Sequence, residues 1–480
     1  MNLKLVSITL ECKSGNVEYH FNENITVFYG NIGVGKTSLM NLISYCLGND
    51  LVHTLAIDEE VRCCRLSVQY NNSPISFTRR ISSNNIVIKS GRNELRVKAK
   101  DAYSDDISDF FFREEEIKPI YWMPKKNAQN QKKIKISFAN FYWFSYLNQD
   151  EIDSSLFYLK DSQNYYKQIA SRSVLYNCFG GDGNTESEFQ DQLRNLSASL
   201  EETKQKISYG KEILSSTALF SVNISNEILK KKQDIEVLKT QLMVARSQII
   251  DYHNNEEIDK LLQLQYTIGL YEAEVKYLSV FGKVKSLIES QISVRQDVEN
   301  ELATTKKEKE CSSIQDTAFS ENIELFKDLL LDTLRRIKFP SMEDGDSIEL
   351  SSTDFFPILY TFSGKKKADY YTLSSGGKKT IYKICFAIAT HRLVALTRMK
   401  TLIPNMLILD TPMKNISERE DVELYNALFR LLLDLFSDSG ELESTQLIIV
   451  DKELHPYFEH EGITQYHLTN EHPLIPFYRT

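Results

Sequence analysis

No run of eighteen apolar residues occurs in this 480-residue sequence, so nothing in it reads as a membrane-spanning helix. The opening stretch, MNLKLVSITLECKSG, meets charged residues too early for a secretory leader, and the expected location is the cytoplasm. Cysteine is scarce: seven residues, an odd number without framework spacing, point to free thiols rather than disulfides. No C-x-x-C occurs and Cys63 and Cys64 are adjacent, which argues against a structural zinc site. The eight histidines show no metal spacing. There is no Asp-x-Asp cluster with an upstream glutamate and no His–Asn–His arrangement, so if nucleic acid is cut, a partner cuts it. Excess positive charge is absent too. The net charge of −9 excludes a uniformly basic nucleic-acid coat and leaves room only for local basic surfaces. With 42% hydrophobic and 26% charged residues, the composition is that of a soluble globular protein with ample core material.

What is present begins with Phe28–Met40, FYGNIGVGKTSLM. Gly30, Gly35, Lys36 and Thr37 fit G-x-x-x-x-G-K-[ST], with Asn31, Gly33 and Ser38 filling the loop and its exit. The β-branched run Ile25–Phe28 before it reads as a strand, and SLMNLISYCL after it carries apolar residues at helical spacing. Strand, glycine loop and helix N-terminus make an anion cradle, because small residues let backbone N–H groups turn inward and the helix dipole favours phosphate. In such a loop Lys36 would reach the β- and γ-phosphates of a bound nucleotide, and the Thr37 hydroxyl would hold Mg²⁺.

Around this loop, 3–29 and 62–89 alternate as short strands with Asn/Ser turns, and 101–117 reads as an acidic helix. From 186 to 310 glycine and proline nearly vanish. Phe189, Leu193, Leu196, Leu200, Thr203 and Ile207 step by four and three, as do Ile228, Ile235, Leu238, Leu242, Ala245 and Ile249. That spacing predicts a coiled coil or long helical hairpin, interrupted near 215–226 and turning at Asn254-Asn255. The bland alternative is a three- or four-helix bundle. Globular sequence returns at 311, giving three expected regions: 1–185, 186–310 and 311–480.

Two further pieces bear on the loop. Met406–Asp410, MLILD, is an apolar run ending in a carboxylate suited to holding Mg²⁺ opposite Thr37. Thr372–Lys379, TLSSGGKK, places Ser375, Gly376 and Gly377 at the start of a long helix, a second phosphate-binding geometry. Together these residues resemble the ABC-type ATPases of the SMC, RecF, RecN and SbcC branch. The resemblance implies an α/β head built from N- and C-terminal lobes and interrupted by an α-helical coiled-coil hairpin. It makes Gly30–Thr37 the Walker A loop, Ser375–Gly377 the signature, Asp410 the Walker B aspartate and Gln149 the Q-loop glutamine. Met413–Ser417 falls where the D-loop would be. By the same resemblance Lys36, Asp410 and Gln149 are the catalytic set, and Thr37, Gln149 and Asp410 hold Mg²⁺. It further implies a head-to-head dimer closing on two ATP molecules.

Two departures stand out. Thr411 occupies the place of the glutamate that polarises the attacking water, and loss of such a base costs about 10²–10⁴ in rate. Asp451 or Lys452 stands where the family has a switch histidine, with His455 three residues on; Glu418 and Glu453 are the substitute bases considered. The expected function is an ATP-gated sensor or clamp on nucleic acid that controls an effector such as a nuclease or toxin, as in bacterial anti-phage systems. The alternatives are a scaffold that binds ATP with little hydrolysis and sequesters such a partner, or a repair ATPase of the RecF or RecN kind. For DNA contact the basic clusters are Arg79-Arg80, Lys125-Lys126, Lys132-Lys133-Lys135, Lys230–Lys232 and Lys365–Lys367.

Overall fold

A computed structural model describes every residue except 101–104, 123–133, 161–163, 182, 216–222, 249–254, 315–316, 341, 352–353, 415–421 and 479–480. The chain divides into two compact units, Met1–Gln190 with Cys311–Thr480, and Asp191–Glu310.

The first unit opens with β1 (Leu3–Cys12), β2 (Asn16–His20) and β3 (Ile25–Gly30), followed by α1 (Lys36–Cys46) and the short α2 (Leu55–Glu60). Then come β4 (Val61–Tyr70), β5 (Ser73–Arg80), β6 (Asn85–Ser90) and β7 (Asn93–Lys98). The first two, with the four from β4 onward, make an antiparallel sheet in the order β2-β1-β4-β5-β6-β7. Its strands bury alternate residues, as period-two patterning requires of a sheet with one wet face. Among the described residues the acidic segment is helical over α3 (Ile107–Glu114), where Asp106 caps the first turn.

The next elements are β8 (Tyr121–Trp122), β9 (Ile134–Lys135), α4 (Phe138–Tyr142), β10 (Tyr146–Leu147) and α5 (Tyr165–Cys178). Phe111, Phe138, Phe141, Phe144 and Phe157 are fully buried, so the aromatic stretch ending in SYLNQDEID is core that delivers a strand.

The second unit contains most of α6 (Gly183–Ser215), all of α7 (Ile224–Gln248) and most of α8 (Asn255–Ile314). Ile207 and Leu214 of α6 cluster with Ile288 of α8, while Lys231 and Lys239 of α7 pair with Glu274 and Glu272. Rising numbers in α6 and α7 meet falling numbers in α8, so the long helix returns antiparallel to a broken outgoing limb. α6 ends at Ser215 and α7 begins at Ile224, with 216–222 outside the described residues; of the expected turn Asn254-Asn255, Asn254 also lies outside them and α8 starts at Asn255.

Back in the first unit, α9 (Thr317–Arg336) precedes a three-stranded sheet of β11 (Ser347–Leu350), β12 (Pro357–Tyr360) and β13 (Lys366–Asp369). Then follow α10 (Gly376–Thr397), β14 (Met406–Asp410), α11 (Val422–Phe436), β15 (Gln446–Asp451) and β16 (Thr464–Leu468). The central sheet runs β10-β14-β15-β3-β16, every pair parallel. All five residues of β14 are buried, the continuous apolar run expected of a parallel strand covered on both faces. Because the strands are parallel, the loops after β3, β10, β14 and β15 emerge at the same sheet edge. That edge is where this topology binds ligands.

Candidate functional site

The loop after β3 is shaped by glycine where no other residue fits. Gly30 has φ +136°, and a Cβ there would lie 1.8 Å from the Leu468 carbonyl oxygen. Gly35 caps α1 at φ +97°, and a Cβ there would lie 2.6 Å from Leu474 Cβ. No side chain caps this helix, so its first-turn N–H groups are left for an anion. Lys36 Nζ folds back onto the loop, donating to the Gly30 and Asn31 carbonyl oxygens at 2.6 Å each. Burial lowers the Lys36 pKa, while Asp410 and Asp451 pull it the other way.

Asp410 closes the arrangement from the end of β14. Its Oδ1 accepts from the Thr37 hydroxyl at 3.3 Å and from the Thr411 hydroxyl at 3.2 Å. Desolvation pushes its pKa up to about 6, and the two threonines and Lys36 offset only part of that. Among the described residues its Oδ2 is buried with no hydrogen-bond partner. An orphaned buried carboxylate oxygen beside a hydroxyl is a donor set that fits a hard divalent cation. Mg²⁺ therefore fits Thr37 and Asp410 here.

A cavity of about 570 Å³ gathers Gly33, Gly35, Lys36, Thr37 and Ser38 with Gln149, Thr411, Asp451 and Lys452. Gln149 enters it two residues beyond β10, and Lys414 holds that turn by donating to the Gln149 carbonyl oxygen and to Asp153. Gly30 and Asn31 line an adjoining cavity with Glu453. Ser375, Gly376 and Gly377 line neither. Ser375 is exposed and accepts from the Lys378 N–H at 3.3 Å, capping its own helix.

Thr411 is a β-branched residue at φ +60°, a region such residues rarely enter; its N–H donates to Val450 O at 2.7 Å. No carboxylate occupies its place. Asp451 supplies the one acidic side chain, besides Asp410, that the described site brings near Lys36. Glu418 lies outside the described residues. His455 lines neither cavity: it is buried, stacked on Phe429 at 4.4 Å, and desolvation lowers its pKa to about 4.

Sequence patterning missed one wall. Thr54, Ala56 and Ile57, with Pro473, Leu474, Ile475 and Tyr478, line the cavity that holds Lys36, and the Leu474 N–H donates to the Val34 carbonyl at 2.9 Å. The stretch NEHPLIPFY has no periodicity that could have announced this.

The basic clusters need correction at one position. Arg79 is buried, donating to Tyr45 O and Asn49 O with its guanidinium 3.8 Å from the Tyr45 ring centroid, so it cannot meet a phosphate backbone. Neighbouring residues of a strand face opposite sides, and Arg80 is the exposed one. Lys366 and Lys367 are engaged by Asp369 and Asp346, and Lys135 by Asp106 and Asp109. Lys125, Lys126, Lys132 and Lys133 lie outside the described residues. The six described cysteines are buried and unpaired, and no described helix is long and apolar enough to cross a membrane.

The family described as the AAA domain matches residues 12–318. No curated protein matches. Similar solved structures include the Smc head domain with a coiled coil and joint from Pyrococcus yayanosii: 13% identity, covering 94% of this chain and 92% of that one, TM-score 0.43. The Smc head with an extended coiled coil bound to the C-terminal domain of ScpA, from Pyrococcus furiosus, is 12% identical, with 94% and 90% covered and TM-score 0.44. The recombination mediator RecF bound to ATP is 12% identical, with 95% and 93% covered and TM-score 0.35.

Proposed function

Since this chain belongs to the AAA-domain family of ATPases, we propose that it is an ATP-gated pairing switch that hydrolyses slowly and governs a partner effector. The observation that carries the reading is the Thr37–Asp410 contact with its orphaned carboxylate oxygen, behind the cavity that Lys36 and Thr37 line together. On this reading the first-turn N–H groups of α1 and the Lys36 ammonium bind the triphosphate, exchanging the Gly30 and Asn31 carbonyls for phosphate oxygens. Thr37, Asp410 and Gln149 hold Mg²⁺, which when bound neutralises charge on the transferred phosphoryl group. Asp451 is the residual base. Thr411, whose hydroxyl donates to Asp410, orients that carboxylate but cannot take a proton from water.

The placement of the signature turn supports pairing. Ser375 is exposed, Gly376 half-buried and Gly377 buried, and none of the three lines either cavity of its own chain, so a role for the turn in nucleotide binding would be played on a second copy through its Ser375 end. The engaged lysines and the buried Arg79 favour a protein effector over a nucleic-acid track, which favours the scaffold-like reading over the clamp.

The test is phosphate release together with sedimentation of the chain with and without Mg–ATP. Slow release and ATP-dependent dimers are expected, both lost in Lys36→Ala. Thr411→Glu should raise turnover by on the order of 10²-fold. Wild-type turnover at or above about 10 s⁻¹, the ordinary enzyme range, would overturn slow hydrolysis. Monomers at saturating ATP would overturn pairing.

A further inference from the structure

A third cavity lies apart from the phosphate cradle, walled by the outer side of α1, the turn after β10, α5 and α10. It encloses about 300 Å³, at the small end for ligand pockets. Lys383, from the middle of α10, lines it with only 5% of its surface exposed. Its ammonium donates to the Glu151 carbonyl oxygen at 2.7 Å, leaving two of its three N–H groups for other acceptors. Glu151 and Asp153 act on it only through space, and burial outweighs them, lowering its pKa to about 8. At neutral pH this is still a cation held out of water, an unfavourable arrangement unless an anion answers it.

Lys167 lines the same cavity, its ammonium 4.1 Å from the Tyr158 ring centroid and 6.0 Å from that of Trp143. Two lysines against Glu151 leave the lining net positive. The walls between them are aromatic, which suits a flat ring. Beside them the Tyr142 hydroxyl is buried without a partner among the described residues.

We propose that this cavity is a second ligand site, for a small oxyanion (carboxylate or phosphate) carried on a flat ring, held by Lys383 and Lys167 and stacked against Trp143 and Tyr158. Binding draws Lys383 from the Glu151 carbonyl, two residues beyond Gln149, so the ligand reaches the nucleotide cavity through that turn. The site itself stands independently of ATP hydrolysis.

Only two tryptophans exist in the chain, so Trp122→Phe leaves Trp143 as the sole indole reporter. In that background, Trp143 fluorescence is titrated with phenyl phosphate and with benzoate, using inorganic phosphate and benzyl alcohol as probes lacking the ring or the charge. Saturable change is expected with the ringed anions, the tighter of the two identifying the preferred oxyanion, and at least tenfold weaker response to either control. Lys383→Met should weaken binding at least tenfold. Lys167→Gln, at a partly exposed site that tolerates substitution, should weaken it severalfold, and Lys36→Ala should leave it unchanged. No saturable change up to about 10 mM, a range that detects even millimolar binding, would overturn the proposal. So would equal binding in both lysine variants, or loss of binding in Lys36→Ala, which would return the ligand to the phosphate cradle.

Discussion

Two glycine-bearing turns begin two helices of the same unit, and they are built in opposite ways. At α1 the glycines are compelled by the backbone: Gly30 and Gly35 sit at φ +136° and +97°, with Leu468 and Leu474 where a Cβ would be. Gly35 can offer no side chain to its helix, so the N–H groups stay open. At α10 neither Gly376 nor Gly377 takes a positive φ, and Ser375 satisfies the helix end from within. The first turn needs glycine in order to fold and is left wanting an anion. The second makes no such demand on its backbone, and under the proposed pairing its glycines would serve the approach of a second copy.

The sharpest way to break this comparison is Gly30→Ala. A methyl group forced 1.8 Å from a backbone oxygen at a positive φ should cost at least about 3 kcal/mol, read as a lower urea midpoint. An unchanged midpoint would show the first turn to be as tolerant as the second.

The helix behind the second turn is anchored deeply, and pH should show it. His391 of α10 is buried beside Ser145, its pKa lowered from 6.5 to about 4 by desolvation. The unfolded chain takes up that proton below about 6.5 while the folded chain refuses it. Stability is therefore full above 6.5 and drains by up to about 3 kcal/mol as pH falls towards 4. In His391→Gln, denaturation midpoints across that window should fall less steeply, by up to one proton's worth of slope.

Lys36→Ala should weaken binding of a fluorescent ATP analogue about 100-fold, or about 2.8 kcal/mol, while leaving the melting temperature of the ligand-free protein nearly unchanged. The smallest effect is the most discriminating. Gly376→Ala should stabilise the ligand-free chain by about 0.5–1 kcal/mol, because alanine loses less backbone freedom in a helix. The same variant should abolish ATP-dependent dimers in sedimentation. If it sediments as wild type, nothing approaches that turn.

The phosphate cradle was legible in the sequence because its constraints are local. A strand, glycines and a Lys-Thr pair within thirteen residues impose one geometry, and MLILD announces a buried strand by hydrophobicity alone. Less of the remainder was readable. The sheet order β10-β14-β15-β3-β16 joins segments more than 400 residues apart, and Tyr146–Leu147 is too short a strand to show a period. Arg79 looked like half of a basic pair, but alternation along β5 turns it inward onto Tyr45. The Pro473–Tyr478 wall is held by a backbone bond from Leu474 to Val34, and backbone bonds outside regular elements leave no mark on composition. Lys383 reads as one helical lysine among several until its neighbours in space are known.

The placement of β3 between β15 and β16 sets a timetable for the chain's manufacture. A ribosome adds about 5–20 residues per second, so the strand ITVFYG waits roughly 20–80 s for the partners on either side of it. Throughout that interval its apolar edges are unpaired while the whole helical insert is threaded out ahead of its mates. The cavity around Lys36 is thus completed only after the helical insert and β16 have been made, and throughout that wait the glycine loop is open to chaperones.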